Sequence, residues 1–161
     1  MTVEEYNKSV DLYADGIYRF ALKTIKNQEK AKDIVQDAYE KLWTKHTDVS
    51  YEKVKSYLFT TTYHTSIDVI RKEKTKADFE FTQSSNRSTL DQYSDISEVL
   101  SNAVERLPNI QKSVLLLRDY EGYSYEEIGE ITGLKESQVK VYIFRARLFL
   151  KNYLVSIENI I

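Results

Sequence analysis

The chain has 161 residues, of which 42% are hydrophobic and 30% are charged, and its formal net charge is -2. Four Gly and one Pro are too few for a turn-rich sandwich or barrel. The absence of Cys excludes disulfides, thiolate metal ligands and a cysteine nucleophile. The two histidines, His46 and His64, do not have a metal-ligand spacing. The composition therefore predicts a soluble all-α protein with no metal and no cofactor.

No segment of the sequence predicts a membrane span or a signal peptide. The longest apolar run is Val114 to Leu117, which is far shorter than a span. The first ten residues lack the basic and apolar regions of a signal peptide. We therefore expect no membrane insertion and a cytoplasmic location.

Residues 1–76 predict three helices. Thr2 and Glu5 have the spacing of a capping box, and the first helix runs to about Ile25. Asn27 can cap the second helix. The apolar stripe of that helix comprises Ala31, Ile34, Val35, Ala38, Leu42 and Trp43. A third helix is expected from Tyr51 to about Lys74, although the β-branched and polar run 60–66 has weak helix propensity.

The amino-acid composition changes at residues 77–97, where five Ser and four acidic residues occur and apolar residues do not recur at helical spacing. This segment predicts a flexible linker. Residues 1–76 have a net charge of +2, the linker -3 and residues 98–161 -1, so bulk charge does not indicate a protein that coats nucleic acid. The sequence thus predicts two small helical domains, 1–76 and 98–161, joined by 77–97.

Residues 98–161 predict a helix-turn-helix. One helix ends before Pro108, and Asn109 can cap a second one through Arg118. Ser124 and Glu127 form another capping box, Gly133 fits a left-handed helix end, and a longer helix begins near residue 136. A helical hairpin without function has the same pattern. The outward basic residues of the last helix, Lys140, Arg145 and Arg147, favour DNA binding.

Two groups of motifs resemble one family. Residues 33–43, DIVQDAYEKLW, together with 57–59 and 66–72, resemble region 2 of the extracytoplasmic-function (ECF) sigma factors. Residues 107–108, 123–129 and 139–147 resemble region 4 of the same family. The two groups stand in the family's order and together cover nearly the whole chain. The resemblance implies a sigma factor that binds core RNA polymerase and recognises the -10 and -35 promoter elements, and that is not itself an enzyme.

The resemblance assigns three sets of residues. The surface that docks on the clamp helices of the largest polymerase subunit comprises Asp33, Gln36, Asp37 and Glu40. The set that reads the melted -10 element, through aromatic stacking and phosphate contacts, comprises Tyr51, Tyr57, Phe59, Tyr63, His64, Arg71 and Lys72. The set that reads the double-stranded -35 element comprises Tyr125, Glu126, Lys140, Phe144, Arg145 and Arg147.

The chain departs from the family's pattern in both DNA-reading sets. His64 stands where the family usually has Asn, and a His packed inside the helical bundle is the alternative to a DNA contact. Val141 and Tyr142 stand where relatives commonly carry Ser and Arg, which removes base-edge donors. This loss raises the alternative that another, targeting protein brings the factor to its promoter, and an anti-sigma factor is a further candidate partner.

The residues alone leave two other functions open. A helix-turn-helix regulator that acts without polymerase explains residues 124–151 but gives the motif at 33–43 no role. A small helical hydrolase would use His46 or His64 with nearby carboxylates, but the sequence has no paired nucleophile and base at a recognisable spacing. A binding experiment with purified core polymerase separates the sigma-factor hypothesis from both of these alternatives.

Overall fold

The computed structural model describes the backbone of residues 1–80 and 96–160, and all of the described secondary structure is helical. The expected all-α class is confirmed. These described residues form seven α-helices: α1 (Val3–Ile25), α2 (Gln28–Thr44), α3 (Val54–Glu80), α4 (Ile96–Glu105), α5 (Asn109–Leu115), α6 (Tyr125–Thr132) and α7 (Glu136–Ile160). The predicted linker lies mostly outside the described residues.

Three long helices form the N-terminal half, residues 1–80. The capping box of Thr2 and Glu5 is present, and Asn27 accepts a hydrogen bond from the Lys30 amide, so both predicted helix starts are confirmed. Helices α1, α2 and α3 pack against one another. Their shared core comprises Ile17, Phe20, Ala38, Leu42, Val54, Leu58 and Phe59.

The β-branched stretch of the third helix is helical despite its weak propensity. Thr62 and Ser66 within it are fully buried. Packing of α3 against its neighbouring helices therefore outweighs local preference, as tertiary contacts commonly do. A short 3-10 turn at Tyr51–Lys53 precedes α3, so the α-helix begins three residues later than predicted and ends six residues beyond Lys74.

Two predictions about individual residues are wrong. Trp43 does not belong to the buried stripe of α2: it is 45% exposed and stacks on the ring of His46, with the ring centroids 4.4 Å apart. Asn109 is not a cap, because α5 follows Pro108 directly and has no side-chain cap. Pro108 suits this place because its fixed φ is compatible with a helix start.

Three short helices, the long helix α7 and defined turns form the described C-terminal half, residues 96–160. The capping box of Ser124 and Glu127 begins α6, and Gly133 ends it at a φ of 80°, both as predicted. A Cβ added to Gly129 would lie 2.8 Å from the backbone oxygen of Leu134, so only glycine allows the turn to approach α6 this closely. The turn thereby sets the angle at which α7 leaves α6.

One hydrophobic core joins the two halves. Leu115, Leu116 and Leu117 belong to the same buried cluster as Ile17, Phe20 and Phe59. Helix α6 packs on α3, and α5 contacts α1. The C-terminal half therefore lies against the face of α3 that carries Phe59.

Candidate nucleic-acid interface

Helix α7 has one buried face and one exposed face. Val139, Ile143 and Ala146 are buried and fix the helix on the C-terminal half. On the other side Lys140 and Arg145 are exposed, and Phe144 is 67% exposed. A helix that is the second of a helix-turn-helix pair and presents cations and an aromatic ring outward can enter a major groove.

Arg147 differs from Arg145 in its surroundings. Its Nη2 and Nε donate to the two carboxylate oxygens of Asp119 at 2.6 and 3.2 Å. These hydrogen bonds raise the pKa of Arg147 above its ordinary value. Positions 145 and 147 are about 200° apart around a helix. Arg147 is thus held toward its own domain, while Arg145 faces outward.

Tyr125, at the first position of α6, supports the beginning of α7. Its ring lies 4.5 Å from the guanidinium of Arg118 and 5.6 Å from the ammonium of Lys140. Both distances are within the range of cation–π attraction. Lys140 also forms a 3.6 Å ion pair with Glu136. Glu126 is exposed next to Tyr125, which contacts Lys140 of the recognition helix.

The two unusual residues of α7 have different environments. Val141 is 44% exposed and lies beside Phe144 on the outward face. Tyr142 is half-buried and packs against the hydrophobic core. Val141 is the more exposed of the two, and it makes the outward face of α7 more apolar.

The residues assigned to the -10 element are not equally accessible. Tyr51 and Tyr57 are half-buried, whereas Arg71 and Lys72 are exposed. Phe59 and Tyr63 are 2% and 8% exposed, and burial raises the pKa of the Tyr63 hydroxyl. In this arrangement of the two halves, neither of these buried rings has a free face on which a base can stack.

His64 is exposed, which excludes the alternative of a histidine packed inside the bundle. Its ring meets the edge of Tyr63 at a centroid distance of 5.3 Å. The imidazole is therefore free to contact a base or a phosphate from the surface of α3.

The acidic surface of α2 is accessible. Asp33, Gln36 and Glu40 are exposed and Asp37 is half-buried. Asp37 forms an ion pair with Lys41 at 3.0 Å, and the Gln36 amide donates a hydrogen bond to the Glu40 carboxylate at 3.4 Å. A groove of about 370 Å³ separates this surface from α3. It is lined by Lys30, Asp33, Ile34, Asp37, Thr65, Val69, Lys72 and Glu73.

Sequence analysis missed two residues at the start of α7. Ser137 and Gln138 are exposed in its first turn and line a groove of about 200 Å³ with Val141, Tyr142 and Arg145. The N-terminal residues of a recognition helix commonly contact bases. The Gln138 side-chain oxygen accepts a 2.9 Å hydrogen bond from the Lys135 backbone amide, which leaves its NH2 group as the donor available to a base. Their place in the first turn was the signal that could have identified them.

Within residues 1–76 and 98–156, where side chains are described, no group of three or more potential metal ligands comes together. No helix in the described part of the chain is long and apolar enough to cross a membrane.

Comparisons with known proteins agree with this geometry. Residues 10–76 match the family described as Sigma-70 region 2, and residues 97–150 match Sigma-70, region 4. The chain is 36% identical over 137 residues to the RNA polymerase sigma factor SigV of Bacillus subtilis, covering 83% of this chain and 81% of SigV. It is 28% identical over 157 residues to the ECF RNA polymerase sigma factor SigM of the same organism, covering 94% of each chain.

A solved structure extends the similarity to the whole arrangement. The sigma factor RpoE of Bartonella quintana, crystallised in complex with the anti-sigma factor NepR, matches with a TM-score of 0.77 and 26% identity. The match covers 94% of this chain and 98% of RpoE. A score this high over both halves requires that they superpose together, so the two proteins share the packing of one half on the other.

The two matched regions and the helix-turn-helix define the class as a sigma factor of the sigma-70 type. Within that class, the chain belongs to the ECF sigma factors, as its motifs predicted. Its function is promoter-directed initiation of transcription.

Proposed function

We propose that this sigma factor divides its task between two domains, residues 1–76 and 98–161, joined by residues 77–97. The first docks on core RNA polymerase and reads the melted -10 element, and the second reads the double-stranded -35 element. The observation that carries this proposal is the occurrence, in one chain, of an exposed polar ridge on α2 and an exposed cationic face on α7. The protein acts in the cytoplasm, and the polymerase rather than this chain catalyses the chemistry.

The ridge of Asp33, Gln36, Asp37 and Glu40 supports polymerase docking. Only Asp37 has an ion-pair partner among the described residues, so most of the negative charge is available to a basic partner. Complementary charge mainly increases the encounter rate and fixes the orientation of the partner. The apolar floor of the adjacent groove, which includes Ile34 and Val69, offers a site for an apolar side chain.

The surface of α3 supports the -10 assignment. Exposed Arg71 and Lys72 can hold phosphates, and exposed His64 can donate to a base or a phosphate. Tyr51 and Tyr57 keep partly open rings for stacking. Phe59 and Tyr63 are buried in the hydrophobic core, and Phe59 packs on Phe20 of α1, so these two rings support the fold of the -10-reading half rather than offer a stacking surface.

The recognition helix divides its basic residues between two tasks. Arg145 faces outward near Phe144 and can reach a base edge, whereas Arg147 is paired with Asp119, so its guanidinium can reach a flanking phosphate only by sharing that ion pair. Because Val141 and Phe144 supply apolar surface instead of donors, direct readout depends strongly on Arg145 and on the first turn of the helix.

The experiment compares Arg145→Ala and Arg147→Ala in holoenzyme binding to cognate and scrambled -35 elements over a salt series. Arg145→Ala is expected to cost about 1–3 kcal/mol on the cognate element and to relax discrimination. Arg147→Ala is expected to weaken both elements equally and to reduce the salt slope by about one unit. Retained discrimination in Arg145→Ala would show that α7 does not read the element.

A second experiment separates a sigma factor from a helix-turn-helix regulator that acts without polymerase. Asp37→Lys with Glu40→Lys reverses the ridge and is expected to weaken binding to purified core polymerase, while the helical content stays unchanged. Asp11→Lys with Asp15→Lys makes the same charge change on exposed positions of α1 and serves as the control. Equal affinity of the two double variants would place the docking surface elsewhere.

An anti-sigma factor is a further expected partner. RpoE, which shares the overall arrangement of this chain, was crystallised with the anti-sigma factor NepR. The exposed apolar side chains of α7, Val141, Phe144 and Leu148, give such a partner a surface to cover. Competition between a partner on this surface and -35 DNA would regulate the protein.

A further inference from the structure

The chain between α2 and α3 lies against the N-terminal turns of α1. Helix α2 ends at Thr44 and α3 begins at Val54, and the segment between them ends in the 3-10 turn Tyr51–Lys53. We name residues 45–53 the crossing loop. Because this loop carries Tyr51, which is assigned to the -10 element, its path decides where that ring points.

An aromatic cluster anchors the beginning of the crossing loop. The rings of Trp43 and His46 stack with their centroids 4.4 Å apart and an angle of 13° between their planes. Nδ1 of His46 lies 2.6 Å from the Trp43 carbonyl oxygen, to which it donates a hydrogen bond. Tyr6 of α1 meets the Trp43 ring edge-on at 5.1 Å, and its hydroxyl donates to the Tyr39 carbonyl at 3.0 Å. The cluster thus ties the end of α2 and the start of the loop to α1.

A second contact anchors the end of the crossing loop. The ammonium of Lys8, also on α1, lies 5.9 Å from the ring centroid of Tyr51, which is within the range of cation–π attraction. Tyr51 is half-buried and packs against the hydrophobic core. Its ring is therefore restrained by the core and by a cation, and part of it stays accessible.

The two contacts lie on different sides of α1. Tyr6 and Lys8 are two positions apart, which is about 200° around a helix. Between the two contacts the loop exposes the polar side chains of Lys45, Thr47, Asp48 and Ser50. Contact at both ends, rather than packing along its length, therefore fixes the path of the loop.

We propose that Tyr6 and Lys8 are positioning residues for the -10 element, because they hold the crossing loop so that Tyr51 presents its ring in one orientation. The inference rests on the proposed function, in which Tyr51 stacks on a base. A base that leaves the duplex loses stacking energy, which a protein ring restores. A ring that is already ordered costs less conformational entropy to bind than a mobile one.

The first test compares Lys8→Gln with Lys8→Arg in the holoenzyme. The probe is labelled promoter DNA with an unpaired -10 element, of cognate or scrambled sequence. Lys8→Gln removes the cation from an exposed position and is expected to weaken binding to the cognate element about two- to fivefold, as for an exposed cation–π contact. Binding to the scrambled element is expected to change little. Lys8→Arg keeps a cation beside the ring and is expected to retain wild-type binding.

A double variant separates positioning from a direct phosphate contact. If Lys8 acts through Tyr51, Lys8→Gln causes no further loss in a Tyr51→Leu background. A lysine that touches a phosphate would instead weaken cognate and scrambled elements equally, in either background, and its loss would reduce the salt slope by about one unit. That second pattern would overturn the role of Lys8.

The second test uses Trp43, which is the only tryptophan of the chain. Its fluorescence in the free full-length protein reports the start of the crossing loop. Tyr6→Leu removes the aromatic edge and is expected to shift the emission to longer wavelength, to increase quenching by acrylamide and to weaken cognate -10 binding severalfold. Tyr6→Phe keeps the ring and loses only the hydroxyl, so emission and -10 binding are expected to stay close to wild type. Unchanged helical content and unchanged -35 binding show that both variants are folded.

The failure of the positioning role and the failure of the -10 assignment have different signatures. If Tyr51→Leu alone leaves discrimination between -10 elements intact, Tyr51 does not read the element, and the proposal fails with that assignment. If Tyr51→Leu reduces discrimination while Lys8→Gln and Tyr6→Leu do not, Tyr51 acts without help from α1 and only the positioning role is rejected.

Discussion

Different interactions stabilise the two halves of the molecule. The N-terminal half has three helices of 23, 17 and 27 residues, which bury faces long enough to tolerate polar side chains such as Thr62 and Ser66 in the core. The C-terminal half includes helices of seven and eight residues, which are too short to be stable through helix formation alone. Its geometry depends on the Ser124 capping box and on Gly122, Gly129 and Gly133.

This difference matters for function. In region 2 the residues proposed to make contacts are spread along extended helix surfaces, so small backbone shifts change little. In region 4 the direction of α7 depends on the turn that joins it to α6, so an error there would reorient the exposed side chains of Lys140 and Arg145. We therefore expect backbone substitutions to have their largest effects in the C-terminal half.

The largest effect is expected for Gly129→Ala. The added methyl group meets the Leu134 backbone oxygen, which cannot move as a flexible side chain would, so the free energy of unfolding should fall by about 1–3 kcal/mol. Glu130→Ala, at an exposed position of the same helix, should change it by less than about 0.5 kcal/mol. Urea unfolding measures both. Equal midpoints for the two variants would show that the close approach at Gly129 does not fix the turn.

A smaller effect is expected for the two capping boxes, which allow a direct comparison between the halves. Ser124→Ala removes the cap of an eight-residue helix and should cost about 1 kcal/mol. Thr2→Ala removes the same motif from a 23-residue helix, where fraying of the first turn loses few contacts, and should cost less than about 0.5 kcal/mol. Thermal unfolding of both variants is the measurement. A greater loss for Thr2→Ala would contradict the proposed difference between the halves.

The smallest effect is expected for the polar core of the N-terminal half. The buried Thr62 hydroxyl has no partner among the described residues, so Thr62→Val should leave stability unchanged or raise it by up to about 1 kcal/mol. The matched control is Thr24→Val, which removes a 2.8 Å hydrogen bond to the Phe20 carbonyl and should cost about 0.5–1.5 kcal/mol. Chemical unfolding distinguishes them. If both variants lose stability equally, the Thr62 hydroxyl makes a favourable interaction that its geometry does not indicate.

Much of the local structure could be predicted from the sequence. The caps at Thr2, Asn27 and Ser124 and the left-handed Gly133 are decided by interactions within four residues, and all four predictions are confirmed. The face of α7 that carries Lys140 and Arg145 was predictable because its buried partners recur at helical spacing. The family was also predictable, because its two motifs occur in series.

Other features could not be predicted because they depend on how distant segments meet. The exposed position of Trp43 follows from the space left around the end of α2, where Tyr6 and His46 cover its ring only in part. Periodicity alone placed this residue in the core. Similarly, the helix around Thr62 forms because its small side chains are buried where α3 packs on other helices, which local propensity does not describe.

The sequence by itself determined the helices, most of their caps, the outward faces of α2 and α7 and the membership of the ECF sigma factors. Only the tertiary structure decided that Phe59 and Tyr63 are buried, that Arg147 pairs with Asp119, and that Arg19 pairs with Glu121 across 102 positions of sequence. The physical reason is the range of the interactions. Caps and helical stripes depend on neighbours within one or two turns, whereas each cation could pair with many acids until the packing of the two halves brings one of them within hydrogen-bond distance.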